Sequence, residues 1–382
     1  MSQLRKFVIP ELVFGDGAVH VLGRYANNFG SEKVLIVTDA GLIATPWVDK
    51  AVDLLREEGI ASVVFSDVSP NPRDFQVHAG AEMYHKAGCD IIIAVGGGSA
   101  MDCAKGIGIL ATNEGGISSF QGVDNVKVPC PPLICIPTTA GTSADVSQFA
   151  IISDSAEQVK MAIISKTMVP DVALIDPRLT MTMDPALTAH TGIDALVHAV
   201  EAYVSTGNSA LTDVHALKAI ELILKYLPKV VKEPDSYAWR EKVMFASLHA
   251  GLAFSNASLG AVHAMAHSLG GTLDLAHGEC NALLLEHVVA YNYSYAVERY
   301  ERIGKIVEIG LGMQEVSGVE AICQGFRRFR EHMGVKGGLG QRGVSSENIP
   351  VLAEKAMSDP CLVTNPHFPN QRELEEIYEK AL

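Results

Sequence analysis

The stretch Ile91-Ile92-Ile93-Ala94-Val95-Gly96-Gly97-Gly98-Ser99-Ala100-Met101-Asp102-Cys103-Ala104-Lys105 decides the fold class. Its Ile- and Val-rich run reads as a strand buried on both faces, its glycines as a tight turn, and the remainder as the start of a helix. Strand, glycine turn, helix is an arrangement that cradles phosphate. Glycine lets the backbone approach an anion, and the free N–H groups and dipole of the helix start attract it. The pattern is not the GxGxxG dinucleotide fingerprint, because Met101 stands where the last glycine belongs. On the glycines alone, a tight strand-to-helix turn without a ligand is the competing reading.

Outward from this stretch, apolar Val- and Ile-rich runs at residues 33–38, 61–65, 90–95 and 132–136 read as buried parallel strands. Helical patterns at 47–58 and 75–87 lie between them and stop at Gly59 and Gly88. This alternation implies an α/β sheet with helices on both faces. Further strands are expected at 148–152, 160–164 and 172–175. After about residue 183 the texture becomes helical, at 185–203, 209–227, 236–254 and from 259 onward. The expected organisation is an α/β domain over 1–183 and an all-helical domain over 184–382, divided at the punctuation before Pro185.

Composition narrows the function classes. Of 382 residues, 48% are hydrophobic and 19% charged, which excludes wholesale disorder. The net charge of -14 would repel a phosphate backbone, so nucleic acid is not an expected partner. No apolar run approaches the roughly 18–20 residues that span a bilayer, and the amino terminus has no signal-peptide core. A cytoplasmic location with no membrane partner is expected. The seven cysteines are scattered without a CxxC pair, which fits reduced thiols better than disulfides or a cysteine zinc site.

Two more loops join the glycine turn as cofactor candidates. Asp39 follows the strand at 33–38, where a carboxylate suits a ribose diol and repels a 2′-phosphate, favouring NAD over NADP; a helix cap is the alternative. Pro137-Thr138-Thr139-Ala140-Gly141-Thr142-Ser143 follows another strand end with a crowd of hydroxyls, which hold pyrophosphate or ribose oxygens or else cap a helix.

Eight of the 13 histidines lie between His190 and His287. Asp194 and His198 are four apart, on one helical face, and His263 and His267 repeat that spacing, with His277 ten residues later. One carboxylate with imidazoles suits iron or zinc and leaves positions open for a substrate oxygen. Spacing alone selects His263 and His267 as co-ligands and leaves His277 ambiguous. His190, His215, His249 and His287 have no such pattern and read as ordinary core or surface residues.

With these motifs in view, the chain resembles the iron-containing (group III, metal-dependent) alcohol dehydrogenases, the group related to lactaldehyde reductase and 1,3-propanediol dehydrogenase. The resemblance runs through residues 96–102, 137–142, 191–198, 263–271 and 277–282, and so covers essentially the whole length. It implies a dehydroquinate synthase-like architecture, with a Rossmann-like α/β NAD-binding domain, an all-helical metal-binding domain and a metal in the cleft between them, held by Asp194, His198, His263 and His277. It leaves His267 as a proton relay near the nicotinamide. It also implies cofactor contacts from Asp39, Gly97, Gly98, Ser99, Thr138, Thr139 and Thr142, with Asn71 and Lys160 at further matching positions. Phe149, Phe254 and Cys361 match substrate-pocket positions, core packing being an equal reading for the phenylalanines. Asp145 departs from the family's usual glutamate, and Cys280 from a smaller residue.

The implied reaction is NAD-dependent oxidation of a small alcohol or diol, or reduction of the aldehyde, assisted by Fe2+ or, second to it, Zn2+. A homodimer or larger homo-oligomer is expected. The rivals are an NAD-binding, metal-dependent lyase of dehydroquinate synthase type, a non-catalytic metal or nucleotide sensor, and a closed structural metal site.

Overall fold

The structure, a computed structural model, describes residues 4–382 and divides them into two compact units. One comprises Val8–Thr182. The other comprises Met183–Leu382 together with residues 4–7, which Arg5 ties down by donating to the carbonyls of Thr206 and Asn208.

The first unit contains β1 (Glu11–Phe14), α1 (Leu22–Asn28), β2 (Lys33–Val37), α2 (Ala40–Ile43), α3 (Pro46–Glu57), β3 (Ala61–Phe65), α4 (Asp74–Ala87), β4 (Ile91–Gly96), α5 (Gly98–Thr112), β5 (Gly122–Val123), β6 (Leu133–Pro137), β7 (Phe149–Asp154), β8 (Val159–Ile164) and β9 (Val172–Ile175). Six strands form a parallel sheet in the order β1-β9-β6-β4-β2-β3. β4 is buried on both faces, because Ile92 and Ala94 enter one core and Ile91, Ile93 and Val95 the other. The chain leaves β2 toward β3 but leaves β4 toward β6, so the order reverses between β2 and β4. Ligands collect at the carboxyl ends of strands at such a reversal.

The segments expected as strands at 148–152 and 160–164 are β7 and β8, an antiparallel hairpin that joins β5 in a separate three-stranded sheet. Only residues 155–158 link them, far too few for a parallel crossover. β3, expected to be buried, is an edge strand with a mostly half-buried face. β1 was not anticipated, since four residues beginning with an exposed glutamate carry little strand signal.

The second unit contains α6 (Pro185–Val204), α7 (Ala210–Lys232), α8 (Tyr237–Ala257), α9 (Ala261–Leu273), α10 (His277–Asn292), α11 (Val297–Leu311), α12 (Val319–His332), α13 (Ile349–Met357) and α14 (Gln371–Ala381). It has no strand among the described residues. Asp184 caps α6 by accepting from the Leu187 N–H, and Pro185 occupies the first turn. Gly192 lets α7 approach, since a Cβ there would lie 2.4 Å from the Leu227 side chain. No described helix is long and apolar enough to cross a membrane.

Candidate functional site

The first ten residues of α9 are buried, as expected of a helix that is apolar on every face. Its start is held by side chains from elsewhere in the unit: Asn365 Oδ1 accepts from the Ala261 N–H at 3.1 Å, and Glu201 Oε1 from the Val262 N–H at 2.7 Å. These bonds satisfy helix-end donors that would otherwise be stranded in the core. They also place His263 against α6, the helix that carries Asp194, His198 and Glu201. His277 arrives as the first residue of α10. The neighbouring Gly278 makes that approach feasible, because a Cβ there would stand 2.5 Å from the His190 carbonyl oxygen.

The result is a convergent donor set. The Nε2 atoms of His263 and His277 each lie 3.6 Å from Asp194 Oδ1, and that of His198 lies 3.8 Å away. Donors about 2.1 Å from a shared tetrahedral ion stand about 3.4 Å apart, so the set fits a divalent transition metal after small inward shifts. Asn281 supports the fit. Its amide nitrogen is 2.7 Å from Asp194 Oδ1 and 3.2 Å from Nε2 of both His263 and His277, an electropositive group where these lone pairs converge. Asp194, His198 and His263 are buried, whereas a quarter of the His277 side chain is exposed, which marks the accessible side.

The electrostatics are those of an anion gripped by imidazoles. Burial opposes charge on Asp194, but His198, His277 and His263 overcome it and hold the carboxyl far below its ordinary range. Burial likewise opposes protonation of His263, yet hydrogen bonding to Asp194 and Glu201 lifts it to about 9. Glu201 Oε2 lies 2.6 Å from His263 Nδ1, the carboxylate–imidazole support that frees Nε2 for a metal.

His267 does not join this set, contrary to what spacing alone selects. Its Nδ1 is 2.7 Å from Asp359 Oδ2, and with Asp359 and Cys361 it forms a second cluster of possible donors apart from the one made by Asp194, His263 and His277. Its ring stacks on His277, with centroids 5.2 Å apart, so it remains beside the cluster. Phe254 stacks on the other face of the group, 4.3 Å from the His198 ring centroid. Cys361 is buried next to Asp359, where burial pushes its thiol well up. Cys280 is buried on α10, next in sequence to Asn281.

In the α/β unit Asp39, the glycine loop and the threonine loop meet at the sheet reversal. α5 begins at the glycine loop with no side-chain cap on Gly97, so its first N–H groups are left for another acceptor. The loop packs against the threonine loop so tightly that a Cβ on Gly97 would meet Thr139 at 3.1 Å, and one on Gly98 would meet Thr142 at 2.9 Å. Thr138 N–H donates to the Gly96 carbonyl, and Ser99 lies in the first turn of α5. Asp39 stands beside Gly96, with Oδ2 3.6 Å from where a Cβ would sit, and caps α2 through the Leu42 N–H. The cap reading of Asp39 therefore holds, and its carboxylate stands beside the glycine loop. Lys160 Nζ donates to Asn71 Oδ1 at 2.7 Å.

Lys105 is buried beneath this region and donates to the carbonyls of Ser147 and Phe149, which fixes α5 to the segment leading into β7. Asp145 is buried, and that burial raises its carboxyl to about 6. Phe149 is the buried first residue of β7 and lies in the α/β unit, whereas Phe254 and Cys361 lie in the helical one.

Three residues escaped the sequence reading. Glu201 sits three residues after His198 on the same helical face, a signal present but unused. Asn281 sits one turn beyond His277. Asp359 is 92 positions from His267, and nothing local connects them.

Residues 10–177 match the family model for iron-containing alcohol dehydrogenase, and residues 188–382 match the carboxy-terminal model of the Fe-containing alcohol dehydrogenase family. The chain is 41% identical over 379 residues to a 1,3-propanediol dehydrogenase of Citrobacter freundii, covering 98% of each chain. It is 38% identical over 377 residues to an NAD-dependent methanol dehydrogenase of Bacillus methanolicus, covering 98% of this chain and 99% of that one. A crystal structure of a 1,3-propanediol oxidoreductase superposes with a TM-score of 0.94 at 38% identity over 100% of both chains. With matches that take in both units and nearly every residue, this chain belongs to the iron-containing alcohol dehydrogenase family.

Proposed function

We propose that this protein is an NAD-dependent alcohol dehydrogenase that interconverts a small primary alcohol or diol and its aldehyde, with Asp194, His198, His263 and His277 holding ferrous iron. The observation that carries the reading is the convergence of three imidazole nitrogens on Asp194 Oδ1 at 3.6–3.8 Å. The bound metal supplies Lewis acidity that makes an alcohol oxygen more acidic and a carbonyl carbon more electrophilic.

The chain's own residues do the rest. Asp194 supplies the negative charge of the ligand set, and Glu201 keeps the His263 Nε2 lone pair aimed at it. His267, held by Asp359, exchanges the proton of the substrate hydroxyl. The glycine loop and the start of α5 bind pyrophosphate through backbone N–H groups. Thr138, Thr139 and Thr142 add hydroxyls, Asp39 takes the adenosine ribose, and Ser99, Asn71 and Lys160 complete the cofactor contacts. Phe149, Phe254 and Cys361 are the candidate substrate-pocket residues. A homodimer or larger homo-oligomer in the cytoplasm is the working assembly, in keeping with β1 at a sheet edge and with cysteines that form no disulfide.

The test is anaerobic absorbance at 340 nm with metal-stripped protein reloaded with Fe2+ or Zn2+, NAD and a panel of small alcohols. Metal-dependent reduction that vanishes in His263→Ala is expected. NAD binding without reduction for any metal and alcohol would overturn the dehydrogenase reading and favour a lyase or a sensor.

A further inference from the structure

We infer that Asp359 is a positioning residue that selects the tautomer and pose of His267, so that Nε2 is the nitrogen that exchanges the substrate proton. Asp359 caps the short helical turn Pro360–Thr364, with Oδ1 accepting from the Cys361 N–H at 2.8 Å. Its other oxygen, Oδ2, faces His267 Nδ1 at 2.7 Å. Both carboxylate oxygens are thus committed to donors, and acceptor-only Asp359 requires His267 Nδ1 to carry the hydrogen. The lone pair of the neutral ring then resides on Nε2. Burial alone would raise the Asp359 carboxyl, but His267 and the Cys361 bonds hold it below the ordinary carboxylate range, so the acceptor is an anion.

The position of the ring gives this tautomer its consequence. His267 stacks on His277 and meets His263 edge to face, with centroids 6.0 Å apart, so it borders the metal-donor cluster without belonging to it. With its Nδ1–H held by Asp359, the ring has Nε2 as its acceptor toward a neighbouring hydroxyl. In the overall exchange, alcohol and NAD+ give aldehyde, NADH and one proton, and His267 takes that proton. The opposite tautomer cannot accept at Nε2. The proton-exchange role rests on the dehydrogenase reading above, whereas the choice of tautomer does not.

Asp359→Asn separates the possibilities, because asparagine has one acceptor oxygen where aspartate has two. If that oxygen keeps the Cys361 cap, the amide N–H turns toward His267 Nδ1 and drives the hydrogen to Nε2. The first measurement is 15N NMR of histidine-labelled, zinc-loaded protein, with the His267 signals identified by their loss in His267→Gln. An Nδ1–H tautomer is expected in the parent protein, and an Nε2–H or mixed tautomer in Asp359→Asn and Asp359→Ala. An unchanged Nδ1–H tautomer in both variants overturns the inference. The second measurement is steady-state kinetics alongside metal content and thermal melting. A fall in kcat of about 10- to 100-fold is expected, with KM for the alcohol within about threefold and metal content unchanged. A kcat equal to that of the parent overturns the inference, as does a loss of kcat accompanied by loss of metal. Should the parent protein fail to reduce NAD with any alcohol, the dehydrogenase reading falls, and the NMR measurement still decides what Asp359 does.

Discussion

Glu201 and His263 are 62 positions apart in sequence, yet Glu201 Oε2 lies 2.6 Å from His263 Nδ1 while Oε1 of the same carboxylate caps α9 through Val262. One side chain on α6 therefore fixes both where α9 begins and which way its first histidine faces. In Glu201→Gln the amide oxygen can keep the cap while the amide N–H opposes His263 Nδ1, which moves the ring hydrogen to Nε2. Metal affinity is expected to fall about 10- to 100-fold with the helix content intact. Chelator competition followed by circular dichroism checks this, and an unchanged affinity would refute the support role.

Proton competition sets a pH dependence for metal loading. In the metal-free protein His263 holds its proton up to about 9, because the Asp194 and Glu201 bonds outweigh burial. Binding at Nε2 must release that proton, so raising the pH favours the metal. Apparent affinity is expected to climb about tenfold per pH unit from near the ordinary histidine range to about pH 9 and then to level off. Zinc titrations against a competing chelator at pH 7, 8 and 9 measure the slope. A flat profile would mean that His263 does not bind the ion.

Asp39 combines a cap with a charge, and Asp39→Asn separates the two. The asparagine oxygen still accepts from the Leu42 N–H, so α2 is retained. Removal of the negative charge beside Gly96 is expected to raise the NADP-to-NAD ratio of kcat/KM by about tenfold or more. Parallel kinetics with the two cofactors give the ratio, and no change would place the 2′-hydroxyl elsewhere.

Gly96→Ala tests the cradle. The added Cβ would stand 2.6 Å from the Ala100 Cβ, which cannot swing away because it is bonded directly to the α5 backbone. The strand end or the first turn of α5 must move, at a cost of about 1–3 kcal/mol, and the pyrophosphate donors move with it. A lower Tm together with weaker NADH binding, followed by fluorescence titration, is expected. A lower Tm with unaltered NADH affinity would remove the loop from the cofactor site.

Sequence alone determined what depends on local periodicity and on single residue types. The run from Ile91 to Val95 could only be a strand buried on two faces, the glycines after it allow close approach, and the four-residue spacing of Asp194 and His198 puts both on one helical face. These features repeat over a few residues, so they can be read without knowing what packs against them.

Tertiary structure decided which neighbour each side chain met. His263 and His267 share a stripe of α9, but that helix is buried on every side, so His263 turns to Asp194 and Glu201 while His267 turns to Asp359. His277 reaches the donor set because Gly278 allows α10 to touch the His190 backbone. The segments at β7 and β8 left the main sheet because their short link permits only antiparallel pairing. Spacing along one helix records which residues point the same way; which carboxylate lies opposite is settled by other helices, remote in sequence and brought near only by the packing of the core.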